Sequence, residues 1–202
     1  MDEKNLTTHV SLIAALISAI TTLTALFVGT IGWPWFRDRL AKNREAKYLA
    51  VRVVCLLDVF IEECASTAIN RGVDEYGNGS HVDPPEPPAY PGDVNWKSID
   101  DKMMYDLLSL PARTRQASNF VDACARDVDD EDVYYHIRAE TYSTLGLRAY
   151  ALCKEIRKKY SLPPAEFRDW NPIARMEDEI QQAVERRRKL EEYARLAPHP
   201  LP

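Results

Sequence analysis

From Val10 to Phe36 the chain runs 27 residues without a charged side chain. As a helix that stretch would reach ~40 Å, whereas the hydrocarbon core of a bilayer is filled by about 20 residues. Eleven of the 22 residues from Val10 to Ile31 are Leu, Ile, Val or Phe. At roughly 0.3 to 0.6 kcal/mol each near the bilayer centre, they favour insertion by about 3 to 6 kcal/mol in gross terms. Six Ser and Thr residues in the same window reduce that gain. Their hydroxyls can bond to carbonyls one turn back, so they do not forbid insertion.

The flanks give the run a direction. Trp33, Trp35 and Phe36 form an aromatic belt, and Pro34 is placed to break or bend the helix near the interface. Arg37, Arg39, Lys42, Arg44 and Lys47 follow at once, against only Asp38 and Glu45, while Asp2, Glu3 and Lys4 stand at the other end. Positive charge concentrated after the helix predicts residues 1–9 outside, an anchor over 10–36, and a cytosolic C-terminal domain at the plasma membrane. A cleaved signal peptide would carry its basic residues before a shorter apolar run. Ser11, Ala15, Ser18, Thr22, Ala25, Gly29 and Gly32 recur at steps of four and three and trace one helix face. Small residues let helix backbones approach closely in lipid, so a homo-oligomer formed through the anchor is one expectation. The alternative is chance, because the whole run is rich in small residues and lacks a Gly-x-x-x-Gly motif.

The remainder reads as all-α. Residues 37–70 carry no Gly or Pro, and Leu49, Val53, Leu57, Phe60, Ile61, Cys64 and Ala68 recur at helical spacing, with Gly72 as terminator. Residues 71–97 hold five prolines between Pro84 and Pro91 and form a Pro-rich loop. Either it is a stiff polyproline strap pinned by Tyr90 and Trp96, or Pro85-Glu-Pro-Pro88 is a ligand for a proline-recognising module; the strap is preferred. Residues 98–171 supply the other bundle helices. Ser98 heads a capping-box variant, and Pro111 splits 98–128 into a kinked or broken pair in which Ser109 caps the second piece. Ala117, Phe120, Val121, Cys124 and Val128 line one side of that piece. Asp129 to Asp132 open a further helix striped by Ile137, Thr141, Leu145, Ala149, Leu152, Ile156 and Tyr160. Prolines 163 and 164 stop it. Residues 172–202 end the chain with a charged helix whose thin seam of Ile173, Met176, Ile180, Ala183, Leu190 and Ala194 has a coiled-coil character. The architecture expected is one transmembrane helix followed by an antiparallel helical bundle.

Chemistry is harder to find. A net charge of −5 argues against nucleic acid as a partner. Cys55, Cys64, Cys124 and Cys153 sit in helical segments without a Cys-x-x-Cys spacing and read as reduced thiols. No bound cofactor or metal is expected: His136 and Glu140 share a face but cannot hold a metal alone. Asp58, Glu62 and Glu63 could support acid–base work if buried. They more readily occupy an exposed edge or pair with Arg113, Arg115 or Arg148. Tyr134, Tyr135 and His136 could border a pocket, and the basic run at 186–189 reads as a solvated face. The leading functional expectation is a non-enzymatic protein that uses its anchor to hold an interaction domain at the lipid bilayer, with a protein partner in the cytosol. Two rivals stand beside it: a membrane-tethered enzyme or small-ligand sensor, and a small membrane-perturbing, toxin-like protein.

Overall fold

A computed structural model describes residues 14–23, 26, 29, 33–71, 82–167 and 170–196. Among these the regular structure is helical and there is no strand. Helix α1 covers 14–23, α2 Trp33–Ile69, α3 Asp101–Asp127, α4 Glu131–Tyr160 and α5 Pro172–Leu196. Two compact units divide the chain, one ending at Ala46 and one beginning at Lys47.

In the first unit the threonines of α1 bond one turn back, Thr21 Oγ1 to the Ile17 carbonyl at 2.6 Å and Thr22 Oγ1 to the Ser18 carbonyl at 2.8 Å. No helix among the described residues is long and apolar enough to cross a membrane. Of the segment 10–36, residues 10–13, 24, 25, 27, 28 and 30–32 lie outside the described residues. Pro34 does not end a helix. It falls in the first turn of α2, where its missing N–H leaves no bond unmade.

The second unit is built on the later turns of α2. Leu49, Val53, Leu57, Phe60, Ile61, Cys64 and Ala68 are all buried, as their spacing predicts, and Val54 joins them. Gly72, the expected terminator, lies outside the described residues; among the described ones, two side chains of α4 meet the end of α2. The Asn70 carbonyl accepts a hydrogen bond from Arg138 Nη2, and the Tyr135 hydroxyl reaches the Ile69 carbonyl at 3.5 Å. A buried guanidinium, within about 6 Å of the ring centroids of both Tyr134 and Tyr135, thus supplies the positive charge that a helix C-terminus favours.

Residues 82–95 run back along α2. The Asp83 carbonyl accepts from Thr67 Oγ1 (3.2 Å), the Glu86 N–H donates to Glu63 Oε2 (3.2 Å), and Asp93 takes both of its short bonds from Arg52 Nη1 (2.8 and 2.9 Å). Pro85 and Pro88 are buried. Three residues is one turn of a polyproline II helix, so the two prolines share its inward face. Tyr90 and Trp96 meet edge to face, their centroids 5.4 Å apart.

Of the kinked or broken pair expected over 98–128, the broken form is not found: Asp101–Asp127 is one continuous helix. Asp100, not Ser98, caps it by accepting the Met103 N–H at 2.9 Å, and Ser98 closes the 3-10 turn Trp96–Ser98. Pro111 lies inside α3 and Ser109 caps nothing. Its hydroxyl instead donates to the Asp106 carbonyl (3.0 Å) and accepts from Arg113 Nε (3.3 Å). Phe120 is exposed, whereas Val121 beside it is buried. Asp130 caps α4 through the amides of Asp132 and Val133, and Ser161 ends that helix in the left-handed conformation at φ 53°. Helix α4 packs against both α3 and α5. In α5, Ile173, Met176 and Ala183 are buried, but Leu190 and Ala194 are exposed, so the seam closes only over the first half.

Candidate functional site

One hollow of the second unit lies where the connector after α4 crosses α2. Its volume is about 660 Å³. Asp58, Val59 and Glu62 come from one face of α2, Arg157 from α4, and Pro163, Pro164, Ala165, Glu166, Phe167 and Trp170 from the connector. The connector takes this path because Ser161 turns the chain sharply out of α4 and two prolines then exclude further helix. A smaller hollow continues beyond Trp170 between Val59, Glu62, Glu63 and Ser66.

The floor is polar and closely bonded. Arg157 makes a two-pronged pair with Asp58, Nη2 to Oδ2 at 2.6 Å and Nη1 to Oδ1 at 3.1 Å. Cys153, one turn earlier on α4, contacts both groups, its Sγ 3.4 Å from Asp58 Oδ1 and 2.9 Å from Arg157 Nη1. A thiol beside a guanidinium and a carboxylate has the composition of an activated nucleophile, but its surroundings work the other way. Burial, and next the negative charge of Asp58, push the Cys153 thiol up to about 12. At neutral pH it is a protonated thiol without solvent access, so this cluster is a structural clamp between α2 and α4.

The walls are different. Trp170 and Phe167 are 40% and 38% exposed, Val59 is 56% exposed, and Pro163 and Pro164 are open to solvent. Among the described residues neither Glu62 nor Glu166 has an ion-pair partner. Asp58 is neutralised by Arg157. Among the described residues what remains is an apolar, aromatic cleft of negative sign.

Residues singled out from the sequence fall elsewhere. Trp33, Trp35 and Phe36 are exposed, with Arg37, Arg39, Lys42 and Arg44 exposed behind them on α2, and Arg39 lies over the Trp35 ring at 5.3 Å. Of the small-residue face, Ala15, Ser18 and Thr22 are exposed on α1, and a Cβ added to Gly29 would meet nothing within 4 Å. Ser11, Ala25 and Gly32 lie outside the described residues. Asp58 pairs with Arg157 rather than with Arg113, Arg115 or Arg148, the last of which faces Asp106 at 3.8 Å. Glu140 binds Arg187 at 2.8 Å, whereas His136 Nδ1 is buried without a hydrogen bond. Burial, then the nearby Arg186 charge, lower the pKa of that histidine. Tyr135 does border a hollow, of about 250 Å³, with Arg71 and Asp130 to Asp132. All four cysteines are free, with Cys55 exposed rather than buried. Among the described residues no group of His, Cys, Asp and Glu is placed to hold a metal ion.

Two of the cleft's aromatics were visible in principle. Phe167 and Trp170 occur in "LPPAEFRDWNP", and large apolar side chains in a proline-bounded connector must either dock or stay exposed. The Arg157–Asp58 pair left no such trace, since 99 positions separate its members. No protein-family model matches the chain, and no curated protein or solved structure matches it either. The class that the described residues define is therefore an all-helical bundle with an open acidic, aromatic cleft on its surface.

Proposed function

We propose that this chain is a single-pass membrane protein whose helical bundle gathers a protein partner at the inner face of the plasma membrane. One observation supports the anchor above the others. Leu16, Ile17, Ile20, Leu23 and Leu26 are each more than half exposed, and so are Trp33, Trp35 and Phe36. Soluble proteins rarely leave so much contiguous apolar surface uncovered. The charge-free run Val10 to Phe36 and the five cations that follow supply the length and the direction. At 100° per residue, Ala15, Ser18 and Thr22 gather on one side of α1, roughly 130° round from Leu16, Ile20 and Leu23. That division suits a helix with one face in lipid and the other against a second copy.

Fractionation tests the anchor. After lysis without detergent and a carbonate wash, the intact chain should remain in the membrane pellet, and protease added to sealed inside-out vesicles should digest residues beyond Lys47. Recovery of the chain in the aqueous supernatant would remove the basis of this reading.

A further inference from the structure

The cleft on α2 has a composition that specifies its occupant. Its two exposed rings, Phe167 and Trp170, offer negatively polarised faces, and the carboxylates of Glu62 and Glu166 stand on the same lining. Glu63 adds a third negative charge in the adjoining hollow, which shares Val59, Glu62 and Trp170. Among the described residues the one cation of the lining, Arg157, is already committed to Asp58. Aromatic rings and carboxylates that line one water-accessible space attract the same thing: a cationic group carried on an apolar stem. A neutral apolar ligand would leave Glu62 and Glu166 without a counter-charge. An anion would be repelled by both.

We propose that this cleft seats a lysine or arginine side chain of a basic segment on a partner protein. The stem lies along Val59, Pro163 and Pro164, and the charged head sits between the Trp170 ring and the carboxylates of Glu62 and Glu166. The site deepens the recruiting role by naming the chemistry of the partner. It does not depend on the anchor, so a soluble chain that still bound the cation would refute the membrane reading and leave the cleft intact.

The test uses the full chain, ¹⁵N-labelled, in mild detergent. Four indole N–H signals are present, and Trp170→Phe identifies the one at the cleft. The probes are Nα-acetyl-lysinamide and its uncharged counterpart Nα-acetyl-norleucinamide. The lysine probe should move the Trp170 signal saturably while those of Trp33, Trp35 and Trp96 stay in place. The norleucine probe should bind at least tenfold more weakly. Glu62→Gln with Glu166→Gln, both surface changes, should weaken the lysine probe at least tenfold without altering thermal unfolding. Arg168, the connector's own cation, is outside the described residues, and Arg168→Gln is measured in parallel. Equal affinity for the two probes, no saturable shift in the wild type, full binding by the double variant, or binding that appears only after Arg168→Gln each overturns the proposal.

Discussion

Asp58→Ala should strand a guanidinium inside the α2–α4 interface. Arg157 is 13% exposed and Asp58 41%, and they share two short bonds. Removing one partner from a fully buried pair costs about 3 to 5 kcal/mol, because the other charge is left without compensation. Here water reaches the carboxylate side and screens the pair, so about half of that, ~2 kcal/mol, is the expected loss. Arg157→Met in the same chain removes the stranded charge and keeps an apolar stem over Cys153. The double variant should therefore recover most of the loss, with a coupling of roughly 1 to 2 kcal/mol. Urea unfolding of the full chain in mild detergent, followed by near-ultraviolet circular dichroism, measures all four corners of the cycle. If Asp58→Ala stays within about 0.5 kcal/mol of the wild type, or if the two single losses simply add, the clamp is not holding the helices together.

Gly146 of α4 is pressed against α2 and α5: a Cβ there would lie 2.9 Å from Cys64 Cβ and closer still to Met176 Sδ. The methionine can swing away but Cys64 Cβ cannot, so Gly146→Ala should lower stability by about 1 to 2 kcal/mol in the same assay despite alanine's better helix propensity. Ser161→Gly should raise stability by up to ~1 kcal/mol, since serine at φ 53° carries a left-handed penalty that glycine escapes; a lower urea midpoint would contradict this. For His136 the folded pKa is lowered, so the unfolded chain binds its proton first as pH falls. Its contribution is complete above about pH 6.5 and declines as pH falls from there towards the folded pKa. His136→Gln should flatten that part of the stability–pH curve, and an unchanged slope would show that other groups set it.

What could be read from residues alone follows a physical divide. Leu49 to Ala68 on α2 and Leu145 to Ile156 on α4 reach the core as spaced, because burial of an apolar stripe is settled within one helix. Local rules failed where two neighbouring residues competed for one task. Ser98 and Asp100 could both cap α3, and the carboxylate, which also meets Lys159 of α4, holds the cap. Pro111 looked like a break, yet α3 runs through it, with Met103, Leu107 and Leu110 buried on one side of it and Thr114 and Val121 on the other. Tertiary packing on both flanks outweighs the one backbone bond that proline forfeits.

The cleft belongs to a third kind of feature, which no single segment encodes. Asp58 and Glu62 are one turn apart on α2 and carry no mark distinguishing them from any solvated edge. They acquire separate roles only when α4 delivers Arg157 to the first and the connector delivers Trp170 to the second. Pairing consumes the charge of Asp58 and so fixes α2 against α4. Leaving Glu62 unpaired among the described residues keeps a charge available at the surface, next to rings that gain from a cation. On the proposed reading of the cleft, stability and recognition are divided between two carboxylates four residues apart. Exchanging Asp58 should therefore register in unfolding, and exchanging Glu62 in binding.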